Sequence, residues 1–304
     1  MNERLGVAVA IVSSSCGAAA AVATRYLIES ADLVTLAAIR FGGGFLCLLP
    51  IVLVLRVRWP RRADWPAVAL LGFVFYAVFF VLYNLALSFT TVARGTLALS
   101  TLPLMTMLAG AALGIERLTL RKAAGVGIAM LGVAAALAAS VAAAPTGAWR
   151  GDLIMAGATF CMAIYNVYSR RFIARSSALG FLTMGMAVGG TALVATSLAS
   201  GGAAALTAFD AKQGVAALYL AAGGGALAFF LWVFALQHAS PTRVANTMTV
   251  NPLVAGLLGI VILDEPLTLR LAIGLIAVFA GIWLATTDGG GVARAAAGHR
   301  PVPP

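Results

Sequence analysis

Residues 115–125 read IERLTLRKAAG and residues 264–274 read DEPLTLRLAIG. Glu116 and Leu118-Thr119-Leu120-Arg121 thus recur 149 residues later as Glu265 and Leu267-Thr268-Leu269-Arg270. The same shift lays residues 86–132 over 235–281 without a gap. It brings Ala86-Leu87 onto Ala235-Leu236, Arg94 onto Arg243, Pro103-Leu104 onto Pro252-Leu253, Gly110 onto Gly259, and Gly125 and Gly132 onto Gly274 and Gly281. Alanine-rich stretches match by chance, but Arg, Pro, Glu and a shared LTLR run do not do so easily. The chain therefore reads as two related halves, 1–146 and 147–287, followed by a Gly, Ala and Pro-rich tail, 288–304, expected to be disordered.

The surroundings of the repeat say what solvent it lives in. The 304 residues are 62% apolar and 10% charged, with a mean hydropathy of +1.01, whereas a soluble domain carries about 25% charged residues. Apolar runs bounded by charged or Gly, Pro and Ser-rich breaks predict helices over 5–24, 33–55, 66–89, 92–114 and 123–143, then 151–169, 178–199, 215–237, 243–263 and 271–287. A helix crosses about 30 Å of hydrocarbon with roughly 20 such residues, so ten spans use nearly the whole chain. Continuous runs of this length do not fit the alternating segments of a membrane barrel. The amino-terminal run resembles a secretory leader, but the repeat needs it as a first span.

Basic residues orient these spans. With the amino terminus inside, cytoplasmic segments hold fourteen Lys or Arg and the opposite side five, with Arg40 inside a span. Both termini are thus expected in the cytoplasm, and the net charge of +10 is a topology signal rather than a nucleic-acid footprint. Five spans per half is an odd number, so the halves enter the membrane with opposite orientation. Such inverted repeats suit alternating access, because exchanging the conformations of the halves opens a central site to the other side.

On these residues the chain resembles the drug/metabolite transporter superfamily, EamA type. The likeness rests on paired five-helix halves, a proline in each fourth span (Pro103, Pro252) and a Glu-x-Leu-Thr element before each fifth (Glu116, Leu118, Thr119; Glu265, Leu267, Thr268). The first half departs from the pattern at Ile115 and Arg117. The resemblance covers about residues 5–287 and implies a helical basket around a central cavity, lined by the first, third and fourth spans of each half, that exports small metabolites. Within the superfamily the chain looks most like the aromatic amino acid exporters of inner membranes.

Candidate solute contacts follow from side chains that are costly in lipid. Tyr76, Phe79, Phe80 and Tyr83 repeat at i, i+3, i+4 and i+7 with Asn84 beside the last, one helical stripe. Tyr83 and Phe80 fall on Trp232 and Phe229 under the repeat. Phenols at mid-span want partners, so the stripe reads as a cavity wall for flat apolar groups or as packing. Tyr165 and Asn166 on the sixth span and Asn246 and Asn251 on the ninth are further polar candidates. Pro103 and Pro252 each open the backbone four residues back, a hinge or a static kink. Arg40, eight residues into its span, either snorkels toward Glu29 or Asp32 or faces a cavity as a functional charge. Glu116 and Glu265 read as helix-capping junctions or as gating ion pairs.

Other chemistries lack their residues. Cys16, Cys47 and Cys161 have no paired spacing, there is no phosphate-binding loop for ATP, and no mid-span carboxylate, histidine cluster or nucleophile with a base appears. An enzyme, a cofactor and a metal are not expected. Expected partners are a small-molecule solute and membrane lipids, with the chain as a monomer or homodimer. The rival readings are efflux of organic cations or mixed drugs, and a membrane sensor or scaffold that transports nothing.

Overall fold

The computed structural model describes residues 3–27, 29–89, 99, 101–116, 119–120, 123–128, 130–131, 149–251 and 254. Every regular element among them is helical. Helix α1 spans Glu3–Leu27, α2 Leu33–Val54, α3 residues 65–89, α4 Leu102–Ala112, α5 Trp149–Ile173, α6 Ala178–Ala199 and α7 Ala211–His238. Helix α8, Pro241–Asn246, runs on as a 3-10 turn over Thr247–Val250. Among the described residues five helices are long and apolar enough to cross a membrane. The fifth and tenth expected spans, Pro252, Glu265 and the tail lie wholly or largely outside the described residues.

The helix starts follow from local chemistry. Asp32 opens α2 by accepting from the N–H groups of Val34 and Thr35 at 2.9 and 3.0 Å, and Ser177 Oγ accepts from Gly180 N at 3.0 Å to open α6. Asp210 and Gln213 form a reciprocal capping box on α7, which lengthens the expected 215–237 span at its start. Within the connection 200–214, Ala203–Thr207 forms a short helix. Pro103 sits in the first turn of α4, where no backbone donor is needed, and the flanking Thr101 is itself in the helical region.

Three helices carry a π-helical stretch at mid-depth, Ile39–Gly43 in α2, Val74–Phe79 in α3 and Ala222–Leu227 in α7. Each adds a residue to a turn and re-aims the side chains beyond it. Helix packing interlocks the two halves, with α1 against α7, α2 and α3 against α6, α3 and α4 against α5, and α8 against α4. Close approach requires missing side chains, as small-residue packing in membranes generally does. At Gly225 a Cβ would drive into the carbonyl oxygen of Arg40, so only glycine lets α7 pass α2 at that depth.

Candidate functional site

The π stretches of α2 and α3 contribute to the wall of a cavity of about 250 Å³. Its wall comes from mid-depth of α1, α2, α3, α5 and α7, from Met248 and Asn251, and from the ends of α1, α2 and α3 that carry Thr24, Leu33 and Tyr83. Among the described residues no lining residue comes from the opposite end, where Glu3, Arg58, Glu116, Arg175 and Ser240 lie. The described wall of the cavity thus lies toward one end.

Aromatic rings make up much of the wall. Phe75, Phe79, Phe80 and Tyr83 of α3 face Phe229 and Trp232 of α7, so the repeat-related pairs Phe80 with Phe229 and Tyr83 with Trp232 all line one space. Behind them Phe41 bridges the halves, its ring 4.4 Å from Phe80 and 5.4 Å from Phe229 between centroids, distances at which edge-to-face and tilted rings attract.

Arg40 supplies the formal charge on this wall among the described residues. It does not snorkel toward Glu29 or Asp32; Asp32 is engaged in capping α2. Its Nε donates to Gly224 O at 3.1 Å. The π stretch of α7 exposes that carbonyl, because the Ala228 N–H reaches Gly223 O and Gly225 O and skips Gly224. The guanidinium carbon lies 5.5 Å from the ring centroids of Phe41, Phe80 and Phe229. An arginine at a helix centre costs about 2.5–3.5 kcal/mol on insertion scales. A charged hydrogen bond of about 1.5–3 kcal/mol and desolvated cation–π contacts of about 2 kcal/mol offset that without a carboxylate. The Nη donors have no partner among the described residues.

Several expected contacts lie elsewhere. Tyr76 and Tyr165 are fully buried off the cavity and pair their hydroxyls at 2.9 Å, and Phe75 stacks on Tyr165 with centroids 4.1 Å apart. Asn166 is a support rather than a wall, accepting from Trp232 Nε1 at 3.0 Å. Asn246 is buried off the cavity with both side-chain polar atoms unpartnered. Asn251 does line it, and its Oδ1 is buried and unpartnered. The side chain of Asn84 lies outside the described residues, as does Pro252. Sequence reasoning missed Phe41, Phe75 and Ser13-Ser14. The run Ser13-Ser14-Ser15 inside an apolar span was the available signal, and two of its hydroxyls stitch α1 to the second half through Ala228 O (2.7 Å) and Thr247 Oγ1 (3.0 Å).

The end opposite the described cavity wall is tied across the halves. Glu3 pairs with Arg243, and buried Glu116 accepts from Thr242 N at 3.0 Å. Glu116 therefore caps α8, in the other half. Inside this end Thr106, Asn166, Ser169, Ser240, Thr242 and Asn246 each hold at least one buried polar atom without a hydrogen-bond partner. They sit on α4, α5 and the start of α8, which pack on one another.

A multi-pass helical bundle with a solute-sized cavity between interlocked halves suits a membrane transporter. The comparisons agree: the EamA-like transporter model matches twice, at residues 4–138 and 149–287. The chain belongs to the EamA-like transporter family, within the drug/metabolite transporter superfamily. It is 25% identical over 266 residues to an uncharacterized transporter of Archaeoglobus fulgidus, covering 86% of this chain and 91% of that one. It is 24% identical over 216 residues to the uncharacterized transporter YyaM of Bacillus subtilis, covering 70% and 69%. A solved crystal structure shares the fold with a TM-score of 0.73 at 22% identity, over 93% of this chain and 95% of that one.

Proposed function

We propose that this protein is an inner-membrane exporter of small metabolites, foremost aromatic or other apolar amino acids, working by alternating access. In this reading ten spans form two inverted five-helix halves, 1–146 and 147–287, with a cytoplasmic tail over 288–304. The observation that carries it is the cavity walled by repeat-related aromatic pairs, with Arg40 on the wall and the described lining set toward one end. Positive-inside counting assigns that end to the outside, so the Glu3–Arg243 and Glu116–Thr242 ties close the cytoplasmic side. Opening there would wet the unpartnered polar atoms between α4, α5 and α8, which are costly while dry. Pro103, beside that region, and Pro252 are the candidate hinges.

Purified protein in liposomes should carry labelled phenylalanine or tryptophan down a gradient. Flux no greater than in empty vesicles would sink the amino-acid reading. Efflux of organic cations is the nearer rival; Arg40 opposes it, and the described lining residues offer no carboxylate. A non-transporting scaffold predicts a filled centre, which the cavity opposes.

A further inference from the structure

The geometry points to an organic-anion site: Arg40 anchors the carboxylate of the transported solute, and a protonated amine is not part of what the cavity recognises. This rests on the cavity being the solute site proposed above. Arg40 is fixed on three sides, by Phe41, Phe80 and Phe229, and its Nε is committed to Gly224 O. Two Nη groups remain, on a cavity wall that brings no counter-charge among the described residues. A planar carboxylate matches such a fork with two parallel hydrogen bonds. The same rings that hold the guanidinium present flat faces to an apolar body.

An ammonium group finds little here. Ser13 Oγ donates to Ala228 O and Ser14 Oγ shares a hydrogen bond with Thr247 Oγ1, so what the described wall offers an ammonium is neutral oxygens, among them the Tyr83 hydroxyl, and no carboxylate. Asn251 Oδ1 is another such neutral acceptor, suited to a phenol O–H or an indole N–H. On an amino acid the ammonium lies one carbon from the carboxylate, which places it beside the guanidinium in a region screened from water. Like charges at that separation repel. Removing the amine should help binding, and removing the carboxylate should abolish it.

The test titrates four compounds against the purified full-length transporter: phenylalanine, phenylpyruvate, 3-phenylpropionate and phenethylamine. Trp232, on the wall, reports binding by its fluorescence. The carboxylates lacking the amine should bind at least as tightly as phenylalanine, and phenethylamine at least tenfold more weakly. Arg40→Gln should weaken the carboxylates tenfold or more and erase their advantage over phenethylamine, while Arg40→Lys should keep part of it. Equal binding of phenethylamine and 3-phenylpropionate to the wild type would overturn the proposal without any variant, as would unchanged carboxylate affinity in a folded Arg40→Gln protein. Phenylalanine flux together with equal phenethylamine affinity would overturn the anion site and leave the export reading standing. Carboxylate binding with no flux would do the reverse, and no binding by any of the four would overturn both.

Discussion

Glu116 is the place to ask whether the closed end is a latch or a fixed seam. Glu116 is 9% exposed, and its carboxylate accepts the Thr242 N–H at 3.0 Å, at the first turn of α8. A negative charge at a partly buried helix start contributes up to about 2 kcal/mol and the N-cap acceptor about 0.5–2 kcal/mol. Glu116→Gln keeps an acceptor of the same shape and loses the charge, costing about 1 kcal/mol; Glu116→Ala loses both and costs about 2 kcal/mol. If the contact exists only while this end is closed, each variant shifts the open-to-closed ratio by the same energy, about 5-fold and about 30-fold.

Thr106 supplies the probe. It is fully buried on α4 with its hydroxyl unpartnered, and cysteine replaces threonine there at little change in volume. With Cys16, Cys47 and Cys161 exchanged for serine or alanine, a maleimide should label Thr106→Cys at a rate that follows the open population. Labelling should rise in the order wild type, Glu116→Gln, Glu116→Ala, by about the factors above. Equal rates in all three proteins would refute the latch. So would a lowered melting temperature with unchanged labelling, because that result describes a helix cap that contributes stability and gates nothing.

Gly225→Ala puts a methyl group against Arg40 O; overpacking of this kind costs about 1–3 kcal/mol, read as a lower melting temperature in detergent, with solute affinity falling as Arg40 is displaced. Trp232→Phe keeps a ring on the cavity wall but strips the donor from Asn166 Oδ1, whose amide nitrogen already has no partner. It should cost about 0.6–2 kcal/mol of stability, and the double variant with Asn166→Leu should recover most of that, measured by thermal unfolding. At Asp32, burial alone pushes the carboxyl up, but hydrogen bonds from Thr35 and the backbone N–H groups of Val34 and Thr35 outweigh it and hold the group below its ordinary value. That contribution is present above the ordinary carboxylate range and lost as pH falls through the lowered value. Melting temperature followed into acid should show the loss in wild type and not in Asp32→Asn.

Span positions were legible because apolar runs end where charges begin. The expected 178–199 coincides with α6, and 33–55 with α2 to one residue. The facing pairs of the cavity were legible through the repeat, since Phe80 and Phe229, like Tyr83 and Trp232, occupy matched positions and line the same wall. The stripe that contained them was misread at its first residue. Counting i, i+3, i+4 and i+7 assumes uninterrupted α-helix, and Val74–Phe79 is π-helical. The extra residue turns Tyr76 out of register and brings Phe75 onto the wall. No residue type announces a π turn, so neither that shift nor the exposed Gly224 carbonyl had a signature in the chain. The direction of Arg40 was equally hidden, since snorkelling and inward facing demand the same sequence.

The inward choice has a physical cause that lies outside α2. Close passage of α7, permitted at Gly225, sets a bare backbone carbonyl and the Phe229 ring beside Arg40. Both belong to the second half, whereas the charge belongs to the first. The guanidinium is therefore solvated by the partner half, and any movement between the halves changes how well it is solvated. An occupied site, with an anion on the Nη groups, would make the charge less dependent on Gly224 and the rings, lowering the cost of moving α2 against α7. Coupling between solute binding and rearrangement would then follow from the shared solvation of one arginine, without a titrating relay inside the membrane.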